Sequence, residues 1–257
     1  MIFAKKSLGQ NFLVDQNIIK KIINLTEIKN KNIIEIGPGK CALTDEILKK
    51  KPKNLILIEK DNLLAAELEN KFKKNQKVKI FNKDILKIDI EKIAKKNSVI
   101  FGNLPYNISS QILIRLIKFK NWPPNYTDLI LMFQKEVAEK IIGKSYGRLT
   151  IITDLRLKCI NKFEISSQCF FPKPKVTSSL IHLMQKNKIN FNINNLNNLE
   201  KITNIFFSNK RKMIKKNLIK ILGQNKLNQL KQINMKLRPS DLKPEVYYKI
   251  VELFETK

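Results

Sequence analysis

Apolar residues follow two rhythms along the first two-thirds of the chain. Short runs, "NIIEIG" (32–37), "NLILIEKD" (54–61), "VKIFNKDI" (78–85), "SVIFGN" (98–103) and "DLILMF" (128–133), are rich in Ile, Leu and Val and bounded by polar or turn residues. Such runs predict buried strands. Between them, Ala42–Lys50 and Asn62–Lys73 place apolar residues at the helical period. The alternation predicts an α/β fold, a parallel sheet covered by helices on both faces. "TSSLIHLM" (177–184) reads as one more strand and suits a sheet edge, with His182 as a packed or exposed strand histidine.

The rhythm changes after residue 185. "QKNKINFNINNLNNLE" is asparagine-rich and reads as a linker or loop. "LEKITNIFFSNKRKMIKKNLIKIL" and "KPEVYYKIVELF" then carry helical periodicity. Two domains are expected, 1–185 and 186–257, the second small, basic and helical. No internal repeat is visible.

Composition adds a partner. Fifty Lys and Arg stand against 22 Asp and Glu, a net charge of +28. Lys, Asn and Ile abound throughout, as an A/T-rich coding sequence would produce, and that alone raises the charge. It does not remove acids locally, yet none occurs between Glu200 and Asp241. A polyanion, most simply nucleic acid, is the implied partner. No apolar run approaches a membrane span, and "MIFAKKSLGQ" lacks a signal peptide's apolar core, so a cytoplasmic protein without a membrane partner is expected. Cys41, Cys159 and Cys169 form no CxxC pair and His182 is the sole histidine, which argues against a metal site and fits a reducing compartment.

The chemistry lies where strands end. In "IIEIGPGKCALTDEIL", Gly37 and Gly39 fall between a strand and a helix, where backbone can approach a ligand and helix N–H groups are unpaired. Gly37, Gly39 and Ala42 also satisfy a dinucleotide fingerprint. Glu59, at the end of the second strand, can accept both hydroxyls of a ribose, which suits NAD and S-adenosylmethionine equally. Asp84, ending the third, can receive an adenine amine. The fourth strand runs into Asn103-Leu104-Pro105-Tyr106, and His182 has no setting for hydride chemistry, so S-adenosylmethionine is the expected cofactor.

That corner meets a specific demand. An aromatic exocyclic amine is a poor nucleophile because its lone pair is delocalised into the ring. Two acceptors on its N–H groups favour a pyramidal nitrogen and free the lone pair. The Asn103 oxygen and a main-chain carbonyl of the rigid Leu104-Pro105 unit can supply them, and Tyr106 offers a face for stacking. The plainer alternative is an Asn-Pro turn with Tyr106 packed in the core.

"KKSLGQNFLVD", "EIGPGKCALT", "IEKD", "KDIL", "FGNLPYNISS", "FQKEVAEKI", "YGRLTI" and "FFPKPKVTSS", in that order, resemble the ribosomal RNA adenine N6-dimethyltransferases, most closely their bacterial small-subunit branch. The resemblance resumes in "FSNKRKMIKKNL" and "LRPSDLKPEVYYKIVELF" and so spans nearly the whole chain. It implies a Rossmann-like methyltransferase sheet followed by a small helical RNA-binding domain. It implies dimethylation of two adjacent adenosines near the 3′ end of small-subunit (16S) rRNA, in a partly assembled 30S subunit, by a monomer. It adds Asn11 and Leu13 to a cofactor site containing Gly37, Gly39, Glu59, Asp84 and Asn103. It assigns Phe170, by its spacing rather than neighbouring Phe171, to the face of the target base opposite Tyr106. Where many members have a third glycine this chain has Cys41, which reads as a packed thiol. Lys210, Arg211, Lys212, Lys215 and Lys216 are expected on one or two adjacent helical faces as an RNA contact. The alternatives are the large-subunit, macrolide-resistance enzyme, a relative working in mitochondrial transcription, and a non-catalytic ribosome-assembly factor.

Overall fold

The computed structural model describes residues 5, 8–230 and 232–256. The residues read for a signal peptide at 1–4, and two of the "KKSLGQ" motif, lie outside these. The chain divides into two compact units: up to Ala138 together with Lys158–Gln185, and Glu139–Leu157 together with residues from Lys186 on. A single cut at 185/186 therefore does not describe it.

The first unit is built on a seven-stranded sheet, with strands β2 (Asn32–Ile36), β3 (Asn54–Glu59), β4 (Val78–Asn82), β5 (Ser98–Asn103), β6 (Tyr126–Gln134), β7 (Leu157–Ile165) and β9 (Ser178–Gln185). Their order is β4-β3-β2-β5-β6-β9-β7. Neighbours from β4 to β6 are parallel, whereas β6 and β9 are antiparallel. A two-stranded ribbon pairs β1 (Phe12–Leu13) with β8 (Phe170–Phe171). The strand with His182 is not the sheet edge, because β7 lies outside it. His182 itself is packed, 2.7 Å from Asp128 of β6.

Helices α1 (Gln16–Ile23), α2 (Ala42–Lys49), α3 (Asn62–Phe72), α4 (Ile90–Ile93) and α5 (Ser109–Ile117) connect these strands. Asp15 and Asp61 cap α1 and α3 by accepting their first free N–H groups. Alternate strand residues face opposite ways. Ile33, Leu55, Leu57, Val99, Phe101, Ile130 and Met132 accordingly share one core with Ile19, Ile22 and Ile47 of α1 and α2. The intervening Ile34, Ile100, Leu129 and Leu131 are equally buried. Continuous apolar runs result, as expected of strands covered on both faces.

In this order the chain builds outward from β2 through β3 to β4, then crosses to β5 on the other side of β2. Ligands of open α/β sheets bind at such a switch, outside the carboxyl ends of the strands. Gly37 follows β2, Glu59 ends β3, Asp84 follows β4 and Asn103 ends β5.

Helix α6 (Lys135–Ile141) leads into the second unit, which holds α7 (Arg148–Arg156), α8 (Leu196–Ser208), α9 (Lys215–Leu227) and α10 (Pro244–Glu255). Its core is aromatic: Phe206 and Tyr247 meet edge-on at 5.3 Å. The Tyr248 hydroxyl donates to the Ile151 carbonyl (2.8 Å) and the Tyr146 hydroxyl to that of Leu242 (2.6 Å). Those bonds explain why 139–157 groups with the C-terminal helices. The asparagine-rich stretch forms a loop pinned by α10, with Asn192, Asn194 and Asn195 N–H groups donating to Glu252 and Glu255.

The expected continuous helix over 199–222 is broken. Residues 209–214 form a turn between α8 and α9. Lys210, Arg211 and Lys212 therefore stand on that turn, and only Lys215 and Lys216 open a helix; all five are exposed. Buried Ile214 anchors the turn through its N–H to the Leu237 carbonyl (2.9 Å). Charge repulsion at i,i+4 is thus avoided for the first three by the backbone itself.

Candidate active site

Asn11, Leu13, Gly37, Gly39, Glu59, Asp84, Asn103, Leu104, Pro105 and Tyr106 all line one cleft. The loop after β2 forms its floor. Three residues there, Gly37, Gly39 and Cys41, have φ of 69°, 54° and 67°, the left-handed region that suits glycine. A Cβ on Gly39 would also come 3.0 Å from the Phe12 ring. Cys41 occupies the third such position. Its thiol is buried, and burial pushes it up to about 11, so it is a packed group and not a nucleophile.

Glu59 is held by two N–H groups, from Gly39 (3.2 Å) and Asp61 (2.9 Å). Burial raises its pKa, and these bonds oppose the rise. Asp84 accepts the Leu86 N–H (2.9 Å) and pairs with Lys60 (2.8 Å), which holds its carboxyl below the usual range. Lys60 is itself half exposed and can give way to an adenine amine.

At the end of β5 the Asn103 side-chain NH₂ donates to the Asn11 carbonyl (2.8 Å). A carbonyl can only accept, so the amide is oriented: its nitrogen faces Asn11 and its oxygen turns the other way. The Pro105 carbonyl is taken by the Ile108 N–H (3.1 Å). The Tyr106 hydroxyl bonds Ser178 of β9, which fixes the half-buried ring from its far end.

Phe170 is not brought to this cleft. It pairs with Leu13 in the β1–β8 ribbon and is 3% exposed within the main core, whereas Phe171 is 66% exposed. The reason is the two-residue alternation of a strand, which turns neighbours to opposite sides. Spacing along the sequence selects a position, but the ribbon decides which ring is covered.

Three participants escaped the sequence reading. Gln10 and Asp61 are bonded to each other beside Glu59 (3.1 Å). An Asp just ahead of an apolar-periodic run is a helix-cap signal, but nothing local marks Asp61 as part of the site. Glu35 lines the cleft at 2% exposure and accepts the Thr44 hydroxyl (2.7 Å). Within a strand run it reads as an interruption and carries no motif. Burial pushes its pKa up to about 8. The folded state thus holds this proton more tightly than the unfolded chain, whose carboxyl titrates near the ordinary 4.5. Stability should fall as pH rises between those values, by up to about 1.4 kcal/mol per pH unit. Glu35→Gln should remove that slope, measured as urea midpoints at pH 5, 6.5 and 8. Parallel curves for the two proteins would contradict the assignment.

The cleft fits S-adenosylmethionine better than a dinucleotide. A pyrophosphate at the glycine loop needs free N–H groups, but the Gly39 N–H already serves Glu59. A phosphate there would meet a carboxylate. A cationic sulfonium with a ribose and an adenine suits the same acceptors. Fold and donor set define an S-adenosylmethionine-dependent methyltransferase. Residues 2–256 match the family model described as ribosomal RNA adenine dimethylase. A relative from Pelagibacter ubique, named ribosomal RNA small subunit methyltransferase A, is 45% identical over 98% of this chain and 97% of its own. One of the same name from Buchnera aphidicola is 40% identical over 95% and 94%. Among solved structures, a dimethyladenosine transferase from Plasmodium falciparum superposes with a TM-score of 0.74 at 26% identity, covering 93% of this chain and 95% of its own. The 23S rRNA methyltransferase ErmE shares the fold, with a TM-score of 0.69 at 21% identity over 95% of this chain and all of its own. The chain belongs to the ribosomal RNA adenine dimethylase family.

Proposed function

We propose that this protein transfers methyl groups from S-adenosylmethionine to N6 of two adjacent adenosines near the 3′ end of small-subunit (16S) rRNA, giving N6,N6-dimethyladenosine, with a partly assembled subunit as substrate and a monomer as the working form. The observation that carries it is the oriented Asn103 amide, pinned by Asn11 so that its oxygen is the group left to accept. A protein that only bound ribosomes would have no use for an amine acceptor beside a cofactor cleft.

When bound, S-adenosylmethionine supplies a methyl group already activated by its sulfonium. Glu59 would hold its ribose, Asp84 its adenine amine, and Gly37 and Gly39 its close approach to backbone. What the chain adds is placement of the nucleophile. The Asn103 oxygen accepts one N–H of the target amine. The Leu104 carbonyl is the second acceptor, since that of Pro105 is engaged in its turn. Tyr106, tethered to Ser178, gives the base one stacking face. With Phe170 paired to Leu13 and buried in the core, Tyr106 is the aromatic face proposed for the target base.

The test is labelled methyl transfer to undermethylated small subunits and, in parallel, to naked 16S rRNA, with dimethyladenosine mapped in the product. Transfer to subunits at the 3′ end supports the reading. Modification of large-subunit RNA instead, or binding without transfer, would select one of the alternatives.

The turn at Lys210, Arg211 and Lys212, with Lys215 and Lys216 beyond it, is the proposed phosphate contact of the second unit. A turn presents cations to a polyanion without the repulsion they would feel on a helix. Replacing Lys210, Arg211 and Lys212 with Gln should weaken subunit binding and lower the slope of log K against log salt by about 2–3. Cofactor affinity should not change. Equal slopes for the two proteins would remove this turn from the interface.

A further inference from the structure

We propose that Asp61 is a positioning residue for methyl transfer: it ties the ribose acceptor Glu59 to the N-terminal segment that orients Asn103, so that the cofactor site and target-base site form one hydrogen-bonded unit. The inference rests on the cleft being the cofactor and adenine site. Asp61 is 2% exposed, and every polar group on its side chain is engaged. Its N–H donates to Glu59 Oε1 (2.9 Å). Oδ1 accepts the Lys5 ammonium (2.9 Å) and the Leu63 N–H at the start of α3 (3.0 Å). Oδ2 accepts from the Gln10 Nε2 (3.1 Å). Gln10 in turn accepts the Lys5 backbone N–H through Oε1 (2.8 Å), so its amide is fixed from both ends.

The next residue completes the path. Asn11 supplies the carbonyl that holds the Asn103 nitrogen (2.8 Å). From Gly39 through Glu59, Asp61, Gln10 and Asn11 to Asn103, each bond shares a residue or a peptide unit with the next. The segment from Leu8 to Leu13 has little regular structure, with only a two-residue ribbon strand at its end. It depends on the bonds to Asp61 and Asn103 for its place beside the cleft. A helix cap alone would need one carboxylate oxygen; Asp61 uses the other for Gln10, which contributes nothing to α3.

The chemistry of the Gln10–Asp61 contact permits a polarity swap. Asp61→Asn keeps the shape and the cap oxygen for Leu63 but turns an NH₂ toward the Gln10 NH₂. We expect kcat for methyl transfer to fall about 10- to 100-fold, as a small misplacement of a positioned group does, and the calorimetric cofactor Kd to rise with it. Gln10→Glu added to Asp61→Asn restores the bond in reverse. The carboxylate introduced at position 10 accepts from both the Lys5 N–H and the new amide, and the oxygen at position 61 still serves Leu63 and Lys5. Activity should return to within roughly a factor of three of the starting protein. Gln10→Leu cuts the same link without touching the cap and should lose kcat as Asp61→Asn does; it carries the test if Asp61→Asn fails to fold. Unchanged kcat and Kd in Gln10→Leu would overturn the proposal. So would a folded double variant, with the thermal midpoint of the starting protein, that stays as slow as Asp61→Asn. If the starting protein itself transfers no methyl group, the function fails first, and that result is distinct from an active protein indifferent to these changes.

Discussion

Asn103→Ala should lower kcat for adenine methylation by about 10²–10³-fold, the usual effect of removing one preorganised hydrogen-bonding group from an active site. Cofactor affinity should change far less, because the proposed ribose and adenine acceptors, Glu59 and Asp84, sit on β3 and after β4 rather than on β5. The effect has two parts. The amine loses its acceptor, and the Asn11 carbonyl loses the donor that holds it (2.8 Å). Asn103→Asp separates them: a carboxylate keeps an acceptor for the amine but faces the Asn11 carbonyl with no proton to give. Its rate should fall between those of the amide and alanine. Single-turnover kinetics with saturating cofactor, alongside calorimetry, read the two effects apart. A normal rate in Asn103→Ala would remove the amide from the chemistry.

The second large effect is on cofactor binding. Glu59→Ala should weaken S-adenosylmethionine by at least about 100-fold, since each hydrogen bond to a charged group is worth about 1.5–3 kcal/mol and two ribose hydroxyls lose theirs. The variant also frees the Gly39 and Asp61 N–H groups, so the glycine loop loses its tether. Glu59→Gln keeps one acceptor and should lose less. A pH dependence follows from the raised pKa of Glu59, which burial causes. On acidification this carboxylate takes up its proton before an exposed glutamate would, and affinity should fall with it. In Glu59→Gln that component should vanish. Calorimetry showing unchanged affinity in the alanine variant would mean that the ribose lies elsewhere.

Much of the fold was written in local pattern. Five buried strands and the helices α2 and α3 could be read from runs and periods, because a strand covered on both faces must be apolar throughout. The site residues at the strand ends were legible for a related reason. Parallel strands align their carboxyl ends along one edge, so Gly37, Glu59, Asp84 and Asn103 had to share that edge once the alternation was recognised. The strand β7 was missed because its central residues, Lys158 to Lys162, are exposed and give no apolar run. With it went the edge position assigned to β9. The break at 209–214 was hidden for the opposite reason: apolar residues keep a helical period across a turn whose one buried member, Ile214, packs as a helix residue would.

Residues a few positions apart at strand ends were enough to read the class of fold and the sulfonium cofactor, and to motivate the proposed amine-holding corner. Which way the Asn103 amide points was settled by the folded chain, because its partner Asn11 lies 92 residues away in sequence. It alone buried Phe170 and exposed Phe171, through a ribbon between segments that no local period connects. It alone moved 139–157 to the C-terminal helices, by hydroxyl bonds from Tyr146 and Tyr248. Orientation, burial and long-range hydrogen bonds depend on what the chain brings together at a distance, and local pattern carries no record of that.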